Sequence, residues 1–243
     1  MSLACPAFIA ALDPTLCRAV DHYCERTSPA LDAEPVNAIS NLAFLVASAV
    51  AWRLSSRHAP SRARGLIRTL IAIVAIIGLG SFLFHILGTR WAEWADVLPI
   101  LLFILLYVWF ALTLFFAWPP WLKLVAVSLL CAATLGLEAF APPTFLWGGA
   151  LYLPTAFTII AFSIALWRVD AAAGRALAAA GAVFFLSFAA RTADMPLCEI
   201  WPLGTHFLWH VLNATLLYLL MRVAILHGQT HATPLSNASG FSA

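Results

Sequence analysis

The sequence predicts an all-α fold, a polytopic membrane protein built as a bundle of seven transmembrane helices. Of the 243 residues, 63% are hydrophobic and only 10% are charged, and the mean hydropathy is +0.93. A soluble domain of this size carries about 25% charged residues, so the composition excludes an ordinary soluble protein. The net charge of only +2 comes without a basic patch, which argues against a nucleic-acid partner.

Runs of about 20 apolar residues, the length that crosses a bilayer, define the helices. The third and fourth runs are separated only by Pro119 and Pro120, which cannot continue a helix and therefore predict a tight turn. The sixth run is short and rich in alanine. The predicted spans are 36–52, 66–87, 97–118, 121–140, 146–167, 176–190 and 205–226.

Two segments flank this predicted domain of residues 36–226. Residues 1–35 contain no continuous apolar core of the length that a signal peptide needs, and we expect them to form an extracytoplasmic segment. Residues 227–243 are small and polar, which predicts a disordered cytoplasmic tail.

The distribution of lysine and arginine predicts the orientation, because cytoplasmic loops are enriched in these residues. Seven spans place nine of the thirteen basic residues on one side, together with the C-terminus. Ten of the eleven acidic residues fall on the other side, Asp170 being the exception. We therefore predict that the N-terminus is outside and the C-terminus cytoplasmic. The nine basic residues are Arg53, Arg57, Arg62, Arg64, Arg68, Lys123, Arg168, Arg175 and Arg222.

Four of the five cysteines agree with this orientation. Cys5, Cys17, Cys24 and Cys198 all lie on the predicted outer side, where disulfides persist. Four cysteines allow three pairings, and free thiols are the alternative. Cys131 lies within a span and is interpreted as a small apolar residue.

A polar stretch, residues 78–96, interrupts this apolar pattern where the second span ends. Ser81 and His85 are four residues apart on one helix face, and Asp96 follows at the next apolar run. Ionisable groups at such a position are costly and point to function. The alternative is that His85 only packs, hydrogen-bonded, inside the bundle.

The seventh span supplies two further histidines, His206 and His210, which share a face. With His85 they give three ligands, and three histidines plus water make a zinc site with one open position. Asp96 is then placed to act as general acid and base, and Ser81 to donate a hydrogen bond to an oxyanion or a ligand. This set suits metal-assisted hydrolysis of an amide or ester, and its place in a membrane suits a lipid substrate.

The N-terminal segment contains a cluster of acidic side chains. Asp21, Glu25, Asp32 and Glu34 fall within fourteen residues. Clustered carboxylates suit a hard cation such as calcium. The alternative is a solvated acidic loop.

Six short motifs occur in a fixed order along the chain, and together they resemble the alkaline ceramidase family. That family belongs to a wider group of seven-span hydrolases that includes the progestin and adipoQ receptors. The motifs are D-x-x-C-E (Asp21, Cys24, Glu25), E-P-x-N-x-x-S-N (Glu34 to Asn41), G-x-x-S-x-x-x-H (Gly78, Ser81, His85), Asp96 ahead of L-P, D-x-x-x-C (Asp194, Cys198) and H-x-x-x-H (His206, His210).

The resemblance implies a specific reaction. Zinc would be held by His85, His206 and His210, with Ser81 and Asp96 as the other catalytic groups. The substrate would be ceramide or a related N-acyl lipid, cleaved at its amide bond to a fatty acid and a sphingoid base.

The resemblance also implies a disulfide between Cys24 and Cys198, and a calcium site near the zinc. The sequence departs from the family at the calcium segment, which has an extra residue. His22 replaces a tryptophan there, and Thr27 stands where an asparagine is expected. The expected calcium residues are Asp21, His22, Glu25, Thr27 and Glu34.

A different class of protein is compatible with the same pattern, namely a seven-helix receptor-like or lipid-binding protein with a structural zinc. The open coordination position distinguishes the two, because a hydrolase needs water there and Asp96 close to it. A purely structural bundle, the third alternative, would bind no metal.

Overall fold

A computed structural model describes residues 5–59, 63–142 and 145–228 of the chain. Within these ranges seven helices are long and apolar enough to cross a membrane, which confirms the predicted all-helical bundle. The described residues contain no β-strand, and one isolated bridge joins Ala19 to Thr89. Spans one to seven are Pro35–His58, Arg64–Leu87, Arg90–Leu114, Pro120–Phe140, Ala150–Trp167, Ala171–Leu197 and His206–His227. Their orientation in the membrane stays a prediction.

All seven observed starts differ from the starts of the apolar runs, but only spans three, five and six differ by more than two residues. Span six has 27 residues rather than fifteen, because the Asp170 carboxylate accepts hydrogen bonds from Ala172 N and Ala173 N and starts the helix earlier. Span three starts at Arg90, so its first two turns contain polar residues that a hydropathy window omits.

Span five begins later than predicted, at Ala150. The residues before it, Phe145–Gly148, form a separate turn in which Leu146 and Trp147 have φ values of 53° and 48°. A left-handed backbone at two consecutive residues cannot continue a right-handed helix, so the apolar side chains there belong to a loop.

Spans two and seven form the centre of the bundle. Of their most apolar windows, 56% and 61% of the residues are buried, against 11% for span four at the periphery. All three histidines of the predicted metal site therefore lie on the two most enclosed helices.

Two glycines bring span two close to its neighbours. A Cβ atom on Gly78 would lie 2.8 Å from Phe44 Cβ of span one, and one on Gly80 would lie 2.1 Å from the Ala95 carbonyl oxygen of span three. Neither position has space for a side chain. These contacts fix the depth at which Ser81 and Asp96 meet.

The N-terminal segment covers the end of the bundle that carries the histidines. Val20 N donates to Gly88 O at 2.8 Å, and Arg90 N donates to Arg18 O at 3.0 Å, which attaches the segment to the loop between spans two and three. The cysteine pairs are Cys5–Cys17 and Cys24–Cys198, one of the three possible pairings. The predicted disordered tail lies outside the described residues, apart from its first two positions.

Candidate metal centre and active site

Three histidines converge at one end of the bundle. His85, in the last turn of span two, faces His206 and His210, which occupy the first two turns of span seven. One nitrogen of each ring lies within 4.8 Å of the others, and none of the side chains is more than 2% exposed. Each ring is thus placed to present a ligand atom to one ion.

Glu34 orients the first of these rings. Its carboxylate lies 2.5 Å from His85 Nδ1 and also pairs with the Arg26 guanidinium. Burial alone would raise the pKa of Glu34, but the hydrogen bond with His85 and the charge of Arg26 hold that pKa below its usual value. An ionised carboxylate only accepts hydrogen bonds, so His85 donates from Nδ1, and Nε2 is the nitrogen that faces the other rings.

Ser40 orients the third ring in the same way. The Ser40 hydroxyl is 2.8 Å from Asn37 O, to which it donates its proton. Its oxygen therefore accepts from His210 Nδ1, 2.7 Å away. The neutral His210 ring is then unprotonated at Nε2.

These contacts give a physical test of whether the site fits a metal. His85 Nε2 and His210 Nε2 face each other at 3.1 Å. In the tautomers with the proton on Nδ1, two lone pairs meet at that distance, and a cation bound by both nitrogens removes their repulsion. His206 Nδ1 is buried and has no hydrogen-bond partner among the described residues, so it is free to act as a ligand. The donor set fits an ion that prefers three imidazoles.

Ser81 and Asp96 lie beside the histidines. Ser81 is one turn before His85 and 2% exposed, and its hydroxyl hydrogen-bonds to the Asp96 carboxylate. Asp96 sits in the second turn of span three and is within electrostatic range of His85. The structure thus brings a hydroxyl and a carboxylate to one side of the three rings, as the sequence predicts.

The residues expected to bind calcium have separate positions. Glu25 Oε1 accepts from Val36 N at 2.7 Å and Glu25 Oε2 accepts from Asn37 N at 2.8 Å, so this carboxylate caps span one. His22 Nε2 lies 3.2 Å from Glu93 Oε1.

Of the other three, Glu34 contacts His85, while Asp21 and Thr27 are exposed. Among the described residues, the group of three or more histidine, cysteine and acidic side chains with converging ligand atoms is the histidine set alone. Calcium binding by the five residues stays a prediction.

Asp194 has a role that the sequence analysis did not assign. This carboxylate is 1% exposed and accepts from Thr205 N at 2.6 Å, His206 N at 2.9 Å and Cys24 N at 3.0 Å. It therefore caps span seven from the neighbouring helix and fixes His206. The motif D-x-x-x-C marked the residue, but nothing local in the sequence reveals partners on two other segments.

Tyr23 is a second residue that sequence reasoning missed. Its ring stacks on the His206 ring with centroids 3.6 Å apart, and its centroid is 5.4 Å from that of His85. The neighbouring Cys24 is tied to Cys198, so the disulfide holds this aromatic ring over the histidines.

An apolar cavity lies inside the bundle, and Trp209, the residue before His210, is part of its wall. It has a volume of about 50 Å³ and runs along span seven from Trp209 to Leu220, with Tyr152 of span five in its wall. A second cavity, of about 300 Å³, lies between spans three, four and five and shares Tyr152 with the first. The walls of both cavities are mostly apolar, as in sites that bind aliphatic chains.

A comparison with known protein families identifies the family of the chain. A family model described as Ceramidase matches residues 21–238, which is nearly the whole chain and includes the three histidines, Ser81 and Asp96. Among curated proteins, none matches the chain.

Proposed function

The chain belongs to the ceramidase family, and from that premise we propose that it is a zinc-dependent intramembrane amide hydrolase. Its substrate is ceramide or a related N-acyl lipid, which it cleaves to a fatty acid and a sphingoid base. The observation that carries the proposal is the convergence of His85, His206 and His210 beside Ser81 and Asp96. The family supports an amide hydrolase, and the choice of zinc and of lipid is ours.

We assign the zinc to the three histidines, because Glu34 and Ser40 hold the outer nitrogens of His85 and His210, the inner nitrogens of those two rings face each other, and His206 presents a third ring beside them. When bound, zinc polarises a carbonyl oxygen and lowers the pKa of a coordinated water to about 7. Glu34 and Ser40 keep the rings in the tautomers that such an ion requires.

Asp96 is the group that moves the proton. Its carboxylate accepts a proton from the attacking water and returns it to the amide nitrogen as the C–N bond breaks, so that the amine leaves neutral. In the resting site the Ser81 hydroxyl donates a hydrogen bond to Asp96. Ser81 is one helical turn from His85, so its hydroxyl can rotate and donate instead to the carbonyl oxygen of the substrate.

The apolar cavity beside Trp209 supports a lipid substrate. Its walls are mostly aliphatic and aromatic, and they include Trp209, the residue before His210. An acyl chain placed there directs its amide group toward the histidines.

We place this site on the extracytoplasmic side of a multi-pass membrane protein. The charge asymmetry of the loops supports the assignment. So do the two disulfides at the end of the bundle that holds the histidines, since disulfides persist outside the cytoplasm.

The test of the enzyme proposal is fatty-acid release by purified protein from a panel of ceramides and other N-acyl lipids. We expect turnover by the wild type and a loss of about 10²–10⁴-fold in Asp96→Ala, the range for a general acid–base. Zinc content should be unchanged in that variant. Release no greater than a blank for every lipid would defeat the enzyme proposal, and bound zinc without turnover would favour the lipid-binding alternative.

The test of the metal assignment is elemental analysis of His210→Ala. Two remaining histidines hold zinc poorly, so we expect most of the metal to be lost. His58→Ala, at the far end of span one, is the matched control and should keep it. Equal zinc in the two variants would refute the assignment, as would no anomalous-scattering peak at the zinc edge beside His85.

A further inference from the structure

Arg191, near the end of span six, places a cationic side chain beside the proposed active site. Its Nη1 donates to Trp147 O at 2.9 Å. The guanidinium carbon is 5.7 Å from the centre of the Tyr152 ring and 6.0 Å from that of Trp209. Both rings line the inner cavity, so Arg191 stands over its wall.

This arginine lacks a carboxylate partner. Within the described ranges it forms no ion pair, and its bond to Trp147 is the one hydrogen bond that its five N–H groups make. Asp96 is within electrostatic range but is not ion-paired with it. A guanidinium with most donors unused is suited to a planar anion, which it binds through two parallel hydrogen bonds.

The surroundings of Arg191 add further donors. The phenols of Tyr23 and Tyr152 are both within its electrostatic range. Tyr23 also stacks on His206, which connects this donor group directly to the histidines. The cluster of Arg191, Tyr23 and Tyr152 therefore contacts the histidines through Tyr23 and the inner cavity through Tyr152.

An arginine near a membrane surface often extends along its helix toward water or lipid phosphates. The contacts of Arg191 are to protein groups instead. Its hydrogen bond is to the carbonyl of Trp147, a residue with left-handed backbone in the turn before span five, and its guanidinium carbon lies near the two cavity rings. These contacts hold the guanidinium beside Tyr152 and Trp209.

We propose that Arg191, with the Tyr23 and Tyr152 hydroxyls, forms a carboxylate-binding subsite next to the metal centre. The inference rests on the proposed function for the origin of its ligand, because hydrolysis of an N-acyl amide releases a carboxylate at this place. The carboxylate is that of the fatty acid whose chain occupies the inner cavity, or that of an anionic N-acyl amino-acid headgroup. The chemistry recognised is the same in both.

Direct binding tests the subsite without turnover. The purified full chain is titrated with hexadecanoate and with hexadecanol, using displacement of a fluorescent fatty acid as the readout. We expect Arg191→Gln to raise the Kd for hexadecanoate about tenfold or more and to leave that for hexadecanol unchanged, since hydrogen bonds to charged groups are the strong ones. Arg191→Lys should fall between the two.

Arg175→Gln is the matched control, because Arg175 is an exposed residue near the opposite end of the same helix. It should bind both ligands as the wild type does, and the zinc content of every variant should be unchanged. Hexadecanoate binding that is unaltered in Arg191→Gln, or hexadecanol binding that weakens equally, would overturn the subsite.

Kinetics then identify the source of the carboxylate. If the product occupies the subsite, Arg191→Gln relieves inhibition of ceramide hydrolysis by hexadecanoate about tenfold. If a headgroup does, the variant raises KM for N-hexadecanoylglycine and not for ceramide. A protein that hydrolyses neither lipid, but binds hexadecanoate through Arg191, would sink the proposed function and leave the subsite standing.

Discussion

Glu34 links the N-terminal segment to the metal site through a single buried side chain. Its carboxylate, 3% exposed, contacts His85, Arg26 and the side-chain amide of Asn37. Removing the negative charge leaves Arg26 buried without a counterion and lets the His85 ring change tautomer. Glu34, which the resemblance assigns to calcium, thus contacts a histidine of the proposed zinc site.

We expect Glu34→Gln to lower zinc affinity by about 10–100-fold, the usual effect of losing a carboxylate behind a ligating histidine. Competition with a chromophoric chelator measures it. Glu93→Gln, which removes a carboxylate paired with His22 and Arg90 instead, is the control and should keep full affinity. If Glu34→Gln kept its zinc affinity and lost calcium binding, Glu34 would be a calcium ligand and not a residue that supports the zinc site.

The sequence predicted those site residues whose chemistry shows in local spacing. His206 and His210 share a face because they are four apart, and Ser81 precedes His85 by one turn. Asp194 escaped assignment because its partner Cys24 is 170 residues away. Arg191 likewise was visible in the sequence only as a basic residue on the side that carries most of the acidic residues. Contacts between distant segments define these roles, and periodicity does not record them.

Residues 21–34, which we call the strap, are held by a disulfide and cover the site. Cys24–Cys198 spans 174 residues and fastens Tyr23 over His206. Cys5–Cys17 closes only a loop of 12 residues within the N-terminal segment. The two bonds therefore differ in what they hold in place.

We expect Cys24→Ser with Cys198→Ser to lower activity at least tenfold and to destabilise the protein by about 2–4 kcal/mol, the usual contribution of a native disulfide. Cys5→Ser with Cys17→Ser should retain activity. Reductant should slow the second variant as it slows the wild type. A mass-spectrometric map with free Cys24 and Cys198 thiols in fully active protein would contradict the prediction.

Spans two and three lie in close contact, and adding one methyl group at a glycine tests that contact. At Gly80 an added Cβ meets the Ala95 backbone at 2.1 Å, whereas at Gly136 of span four nothing lies within 4 Å. We expect Gly80→Ala to cost about 1–3 kcal/mol or more through overpacking. Gly136→Ala should be neutral or slightly stabilising, because alanine favours helix by about 1 kcal/mol over glycine.

Thermal unfolding in detergent measures both glycine variants, and activity shows whether Ser81 and Asp96 have separated. Equal unfolding temperatures for Gly80→Ala and the wild type would show that the helices are not in contact at this depth.

For the helices, the apolar runs in the sequence predicted all seven but not the residues at which each begins and ends. Hydropathy reports what a bilayer accepts, so it omitted the polar first turns of span three. It also joined the turn at Leu146 and Trp147 to span five, although their backbone is left-handed. Caps such as Asp170, and turns set by φ, determine the ends.

The whole molecule has one polar, cross-linked end and one basic end. The histidines, the strap and both disulfides lie at the first, and nine of thirteen basic residues are predicted at the second. If the basic end is cytoplasmic, the proposed amide cleavage takes place in the outer leaflet and both disulfides are in an oxidising compartment. The opposite insertion would place them among cytoplasmic reductants.

Labelling of single cysteines in intact cells decides between these orientations. In a Cys131→Ala background, Asp32→Cys places an exposed thiol at the polar end and Ser56→Cys places one at the basic end. We expect a membrane-impermeant maleimide to label the first and to reach the second only after the cells are opened, because the positive charge of the loops retains that end inside. Labelling of the Ser56→Cys protein alone in intact cells would reverse the orientation, and the metal site would then face the cytoplasm.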